Sequence, residues 1–192
     1  MYQVKNIIFI LIIIHLLGAC SSTSSPPNPT PIPEKRQNVL TMKNETLSEL
    51  YKMKPKTRAI IAEAPGYAVF SNANVSFAIT IGGGYGVVKN NKTGKHTYMK
   101  MAELGIGLGL GVKDYRIIFI FHDKATMHQF IDSGWEFGAQ ADAAAVADDK
   151  GIGAVGGEAL IHNITIYQIT KTGLALQASV KGTKYWRDDD LN

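Results

Sequence analysis

The 192-residue chain carries a single thiol, Cys20, and its surroundings specify what that thiol does. One basic residue, Lys5, precedes the run Ile7 to Leu17, apolar except for His15, and Gly18-Ala19-Cys20 follows. This is the outline of a secretory signal. Small residues leading directly into a cysteine let the chain lie extended in a membrane peptidase, the lipobox arrangement. Cys20 is thus expected to become the first mature residue, its thiol joined to diacylglycerol. A transmembrane anchor is the rival reading, but eleven helical residues span only about 16 Å against about 30 Å of hydrocarbon. As Cys20 is the only cysteine, no disulfide forms within one chain.

The other chemistry-bearing residues do not assemble into a catalytic pattern. Gly151-Ile152-Gly153-Ala154-Val155-Gly156 spells G-x-G-x-x-G, yet a polar turn, Ala147 to Lys150, stands where a buried strand belongs, and no carboxylate follows about 20 residues on. Gly82-Gly83-Gly84-Tyr85-Gly86 lacks a Walker lysine. His96, His122, His128 and His162 have no metal-ligand spacing and no thiolate to join them, and there is no G-x-S-x-G elbow. Asp142, Asp148 and Asp149, flanked by Ala, Lys and Gly, read as a solvated turn before an acid/base site. The expectation is a non-enzyme with no cofactor and no metal.

Charge is more informative. The formal net charge of +4 is mild and falls short of a nucleic-acid binder's excess. Its distribution is uneven. No acid occurs from Ala64 to Ala102, while Lys89, Lys92, Lys95 and Lys100 all fall there, with Lys52, Lys54, Lys56 and Arg58 just upstream. Acids collect later, at Asp142, Asp148, Asp149, Glu158 and Asp188 to Asp190. Lysine or arginine near an anionic lipid surface is worth about 1 kcal/mol each, so these eight are the candidate phospholipid-binding residues. The bland alternative is a soluble surface.

Several elements must position these groups. Residues 21–33 hold five of the seven prolines and read as a polyproline-like tether. Structure is expected from near Val39, with Thr46 and Glu49 as a capping box and a second helix from Lys56 to Ala64. Tyr67 to Phe70 and Phe77 to Ile81 read as strands, and Gly84 to Val88 and Thr97 to Met101 flank a hairpin turn. Gly105 to Val112 alternates glycine with aliphatics as one strand with a bare face. Arg116 to Phe121, apolar on both faces, is a central buried strand. Asp123 caps a helix whose Met127, Phe130 and Ile131 share a face before Gly134. Leu160 to Thr170 and Leu174 to Val180 are two late strands. The sum is an α+β fold with a mostly antiparallel, strongly curved, glycine-rich sheet, barrel- or sandwich-like, and two or three helices. The expected organisation is a signal over 1–19, the lipidated cysteine and tether over 20–40, and a domain over 41–192.

From about Leu47 onward the chain resembles the SYLF-domain family. The matching features, in order, are Pro65-Gly66-Tyr67-Ala68-Val69-Phe70, the glycine-rich Ile81 to Val88, Gly134-Trp135-Glu136-Phe137-Gly138-Ala139-Gln140-Ala141-Asp142-Ala143, and Thr172 to Gly182 followed by Asp189, Asp190 and Asn192. The resemblance implies phospholipid association and, from some eukaryotic members, actin regulation. His96-Thr97-Tyr98-Met99 stands where the family has a tryptophan-serine-proline element, and no lipid-reading or polyproline-binding module is appended, so actin is not an expected partner. The sequence-level expectation is a lipoprotein of the bacterial envelope whose domain binds phospholipid. Ser21 is not the aspartate of inner-membrane retention, which favours the outer membrane, facing the periplasm. A structural envelope protein acting through protein contacts is the alternative.

Overall fold

A computed structural model describes residues 29–77, 79–106, 111–137, 158–161, 163–171, 173–174 and 181–192. Cys20, the acids at 142–149 and the Gly151–Gly156 motif lie outside them. One compact unit begins at Pro31. Helix α1 (Ile32–Met53) leads to α2 (Thr57–Glu63), then to strands β1 (Gly66–Phe77), β2 (Ile79–Asn90), β3 (His96–Ile106) and β4 (Gly111–Phe121). Helix α3 (Lys124–Asp132) precedes β5 (Trp135–Phe137), β6 (Glu158–Ile161), β7 (Ile164–Thr170), β8 (Gly173–Leu174) and β9 (Lys181–Arg187). The strands form one antiparallel sheet in the order β5-β9-β3-β2-β1-β4-β7-β6, with β8 on β7.

Alternation along β1 splits two cores. Tyr67 and Val69 face α1 and α2, joining Val39, Met42, Leu47, Leu50 and Ile61. Ala68 and Phe70 face the other way, toward Phe119, Phe121, Met127, Phe130 and Tyr185. That second core shows the curl. Three strands lie between β4 and β9, a separation of about 19 Å if the sheet were flat, yet the rings of Phe119 and Tyr185 meet at 5.2 Å. The sheet curls around its inner core, and among the described residues its end strands β5 and β6 do not pair with each other.

The glycine-rich run makes this possible. Gly82, Gly84 and Gly86 fall on the inner face of β2, opposite Asn74, Asn72 and Phe70 of β1. A Cβ on Gly86 would collide with the Phe70 ring and the Val69 carbonyl, and one on Gly82 would come within 2.8 Å of Asn74 Cβ. Without side chains on this face, the inner residues of β1 and β3 close over β2.

Several sequence expectations change. Helix α1 starts at Ile32, inside the stretch read as tether, with a proline in its first turn in place of a side-chain cap. Thr46 sits mid-helix, its hydroxyl donating to the Met42 carbonyl, so Thr46-x-x-Glu49 is not a capping box. Phe77 to Ile81 is not one strand, because the chain reverses between Phe77 and Ile79. Gly105 to Val112 is likewise divided: Gly105 and Ile106 end β3 and Gly111 opens β4, which runs the opposite way. Leu160 to Thr170 contains a reversal at Asn163, at φ 61. By contrast, Arg116 to Phe121 lies centrally between β1 and β7, and Asp123 accepts from the Thr126 amide at 2.7 Å as the α3 cap.

Gly86→Ala should therefore lower unfolding free energy by about 1–3 kcal/mol, the usual cost of overpacking. Gly83→Ala, on the outer face with its nearest neighbour at 3.8 Å, should change it by less than about 0.5 kcal/mol. Urea denaturation of both variants measures the difference.

Candidate functional site

Helix α1 crosses the outer face of the sheet at one end of the strands. It runs from Arg36, stacked over Tyr98 of β3 at 5.8 Å, to the α1–α2 turn, where Lys54 lies over Tyr167 of β7 at 5.4 Å. Beneath it one register row reads Tyr98, Val87, Val69, Ile118 and Tyr167 across five strands. The next row toward the β2–β3 hairpin carries His96 opposite Lys89.

A third basic group meets this pair. Lys43, on the buried side of α1, is 7% exposed, and its Nζ lies 3.3 Å from His96 Nε2. An ammonium can only donate, so this bond requires an unprotonated Nε2. Burial, then the Lys89 charge, push the Lys43 pKa below its ordinary value. Burial, then Lys43 and Lys89, do the same to His96. Among the described residues no acid forms an ion pair with Lys43, Lys89 or His96. Two ammonium groups beside a neutral imidazole, with no counter-charge among the described residues, repel each other and attract an anion.

The hairpin turn extends this cluster. Asn90 Oδ1 accepts from the Lys92 and Thr93 amides at 3.0 and 3.1 Å, fixing the turn that displays Lys92 and Lys95. Asn91 Nδ2 donates to the Ile61 and Ala64 carbonyls at 2.6 and 2.9 Å, tying that turn to the end of α2. Lys52 sits in the last turn of α1, Lys54 and Lys56 in the turn that follows, and Arg58 in the first turn of α2, where it stacks on Tyr51 at 4.4 Å. The sequence candidates thus fall into two sets at one end of the fold, joined through α2. Lys100 belongs to neither. It points along β3 to Asp188 at 2.9 Å and Asp190 at 3.0 Å, and bonds to these carboxylates raise its pKa.

Sequence reading missed Lys43, because a lysine on a long amphipathic helix looks solvated until the helix register is known. Among the described residues no three His, Cys, Asp or Glu side chains converge as a metal site, and no helix is long and apolar enough to cross a membrane.

Residues 102–192 match the family model described as "Ysc84: Las17-binding protein actin regulator". The chain is also 38% identical over 166 residues to "Beta cell expansion factor A" of Aeromonas veronii, a match covering 85% of this chain and 61% of that protein. The chain thus spans about three fifths of the length of that curated relative.

The His96 geometry sets a pH dependence. A histidine whose folded pKa is depressed leaves the unfolded chain binding more protons, so stability falls as pH drops through the ordinary histidine value of 6.5 and levels off once the folded state protonates. Thermal melts between neutral and mildly acidic pH should show this decline, and His96→Gln should flatten it. Lys43→Met, which removes a buried charge beside two basic groups, should raise the melting temperature at neutral pH.

Proposed function

From a chain whose residues 102–192 belong to the SYLF (Ysc84) family, we infer a phospholipid-binding domain carried by an envelope lipoprotein anchored through Cys20. The Lys43–Lys89–His96 cluster carries this reading. It sets the buried Lys43 charge behind the half-buried Lys89 beside a structured turn, with no acid paired to either among the described residues, and a phosphate head group at Lys89 supplies the missing anion. Lys92 and Lys95 on the hairpin, and Lys52, Lys54, Lys56 and Arg58 around α2, widen the same end into a cationic surface. Each adds about 1 kcal/mol near an anionic bilayer.

The tether makes weak contacts sufficient. A diacylated cysteine joined by a proline-rich segment holds the domain within reach of the bilayer, so head-group binding becomes an intramolecular step. The alternative of an envelope protein acting through protein contacts draws on the family model's printed description, Las17 binding. The clustered cations favour lipid. Their anionic ligand needs no shaped partner, and Lys43, Lys89 and His96 come from α1, β2 and the start of β3, all before the segment that matches that model.

Flotation with vesicles of phosphatidylcholine, with and without phosphatidylglycerol, tests the reading. The protein should float with the anionic vesicles, less so as salt rises. Lys43→Met combined with Lys89→Glu should reduce flotation about tenfold, corresponding to a loss of about 1.4 kcal/mol. Lys100→Ala should leave it unchanged, because that charge is already matched by Asp188 and Asp190. Indifference of flotation to both phosphatidylglycerol and the double substitution would overturn the proposal.

A further inference from the structure

The other end of the same outer face has the opposite chemistry. Beyond the part covered by α1, a register row places Leu104 beside Ile81 and Ile81 beside Val75. Ile79 follows one row further out. All four side chains face away from the inner core and are open to solvent: Leu104 and Ile81 64% exposed, Val75 58%, Ile79 55%. Behind them is a row of small residues, Ala73, Gly83 and Ala102, and then a polar row of Ser71, Tyr85, Lys100 and Arg116. The cleft beside Ile81 and Leu104, of about 450 Å³, continues over Ala102 and Gly182 to Glu136 and Lys184.

We propose that this apolar end, formed by Val75, Ile79, Ile81 and Leu104, inserts into the acyl region of a lipid bilayer. Among the described residues the profile along the strands matches a bilayer interface: aliphatic side chains at the far end, small residues behind them, then an exposed tyrosine beside Arg116 and the acid-paired Lys100, a residue type that sits at head-group depth. Acids flanking the zone are neutralised. Glu136 is paired with Lys184 at 2.6 Å and Asp114 with Lys171 at 3.8 Å. A protein partner fits less well, since four half-exposed aliphatic side chains fall well short of the roughly 800 Å² per partner that a stable interface buries. A bilayer sets no such minimum when an anchor already supplies proximity. The surface is distinct from the basic cluster: Lys89 and Ile81 are eight residues apart on β2, about 27 Å along the strand. The inference rests on the phospholipid reading in that both place the domain at a bilayer, but it concerns a different end of the molecule.

A tryptophan probe separates the two. The full chain, purified in detergent, is reconstituted into vesicles of phosphatidylcholine and phosphatidylglycerol, with and without lipids brominated on the acyl chains. Ile81→Trp and Leu104→Trp report on the apolar end, and Thr93→Trp reports on the exposed hairpin turn beside Lys92. All are read against the background of Trp135 and Trp186. Both apolar-end positions are solvent-exposed, so substitution there leaves the two cores intact. Acyl-chain bromines should cause loss of fluorescence at positions 81 and 104 but not at 93. Quenching at 93 alone would overturn the insertion and leave the head-group reading standing. Quenching at none of the three would overturn the insertion, and flotation would then decide the head-group reading separately. Emission at 81 that shifts to the blue with protein concentration in the absence of lipid would assign the face to a second copy of the chain, which also overturns the proposal.

Discussion

A bare strip of backbone governs this fold. On the inner face of β2 the positions that would carry side chains are Gly82, Gly84 and Gly86, and a Cβ at each would meet atoms of β1 or β3 closer than any tolerable contact. Because that strip is empty, Phe70 from one neighbour and Met101 from the other share the space above it. The sheet can then roll until Tyr185 touches Phe70 at 4.8 Å and Phe119 at 5.2 Å. Helix α3 contributes Met127 and Phe130 to the same aromatic cluster. The curl is therefore a packing consequence of absent atoms, reinforced by the aromatic contacts it permits.

Curling one face inward leaves the convex face to be covered by other means, and α1 is too narrow to cover it all. An α-helix is about 10 Å across, whereas strands of 11 or 12 residues run to nearly 40 Å. The helix seals the rows from Tyr98 to Tyr167 and leaves the far rows open. This division produces two chemically distinct ends on one surface. At the covered end, lysines from the helix and the hairpin crowd a histidine. At the open end, aliphatic residues stand in water. Crowded like charge and exposed aliphatic surface both cost stability, and both are features that a binding partner relieves.

Much of the architecture was legible in the residues. A run apolar on both faces, Arg116 to Phe121, identified the doubly buried β4, the turn chemistry of Asn90 to Lys95 identified the hairpin, and Asp123 with Gly134 bounded α3. The failures share a cause. In Phe77 to Ile81, Gly105 to Val112 and Leu160 to Thr170 an apolar pattern persists through a chain reversal, so periodicity alone cannot locate the turn. Register was equally hidden: nothing local distinguishes Lys43, buried against His96, from Lys35 or Lys52 on the same helix. Nor does the sequence reveal that Lys100 is taken by Asp188 and Asp190, since that pairing depends on β9 lying beside β3. The charge asymmetry pointed to one end of the molecule, and the fold determined which cations stand there.

The inner face also explains why the apolar end exists. Glu103 is buried on the concave side of β3, accepting from Asn72 Nδ2 at 2.7 Å, from Asn74 Nδ2 at 3.4 Å and from the Tyr115 hydroxyl. Burial, followed by the charges and hydroxyl around it, holds the Tyr115 phenol protonated well beyond its ordinary range. Among the described residues the amide oxygens of Asn72 and Asn74 have no partner, so the network is not an optimal way to fill a core. Its effect is on register. Side chains alternate along β3, and a one-residue slip would carry Glu103 to the outer face and turn Leu104 inward. That slip would gain aliphatic burial and release a buried carboxylate, yet it would strand the donors of Asn72, Asn74 and Tyr115 inside the sheet. Holding Glu103 inward therefore holds Leu104 outward, beside Ile81 and Val75. The exposed aliphatic row is the outer half of a register whose inner half is fixed by a polar network.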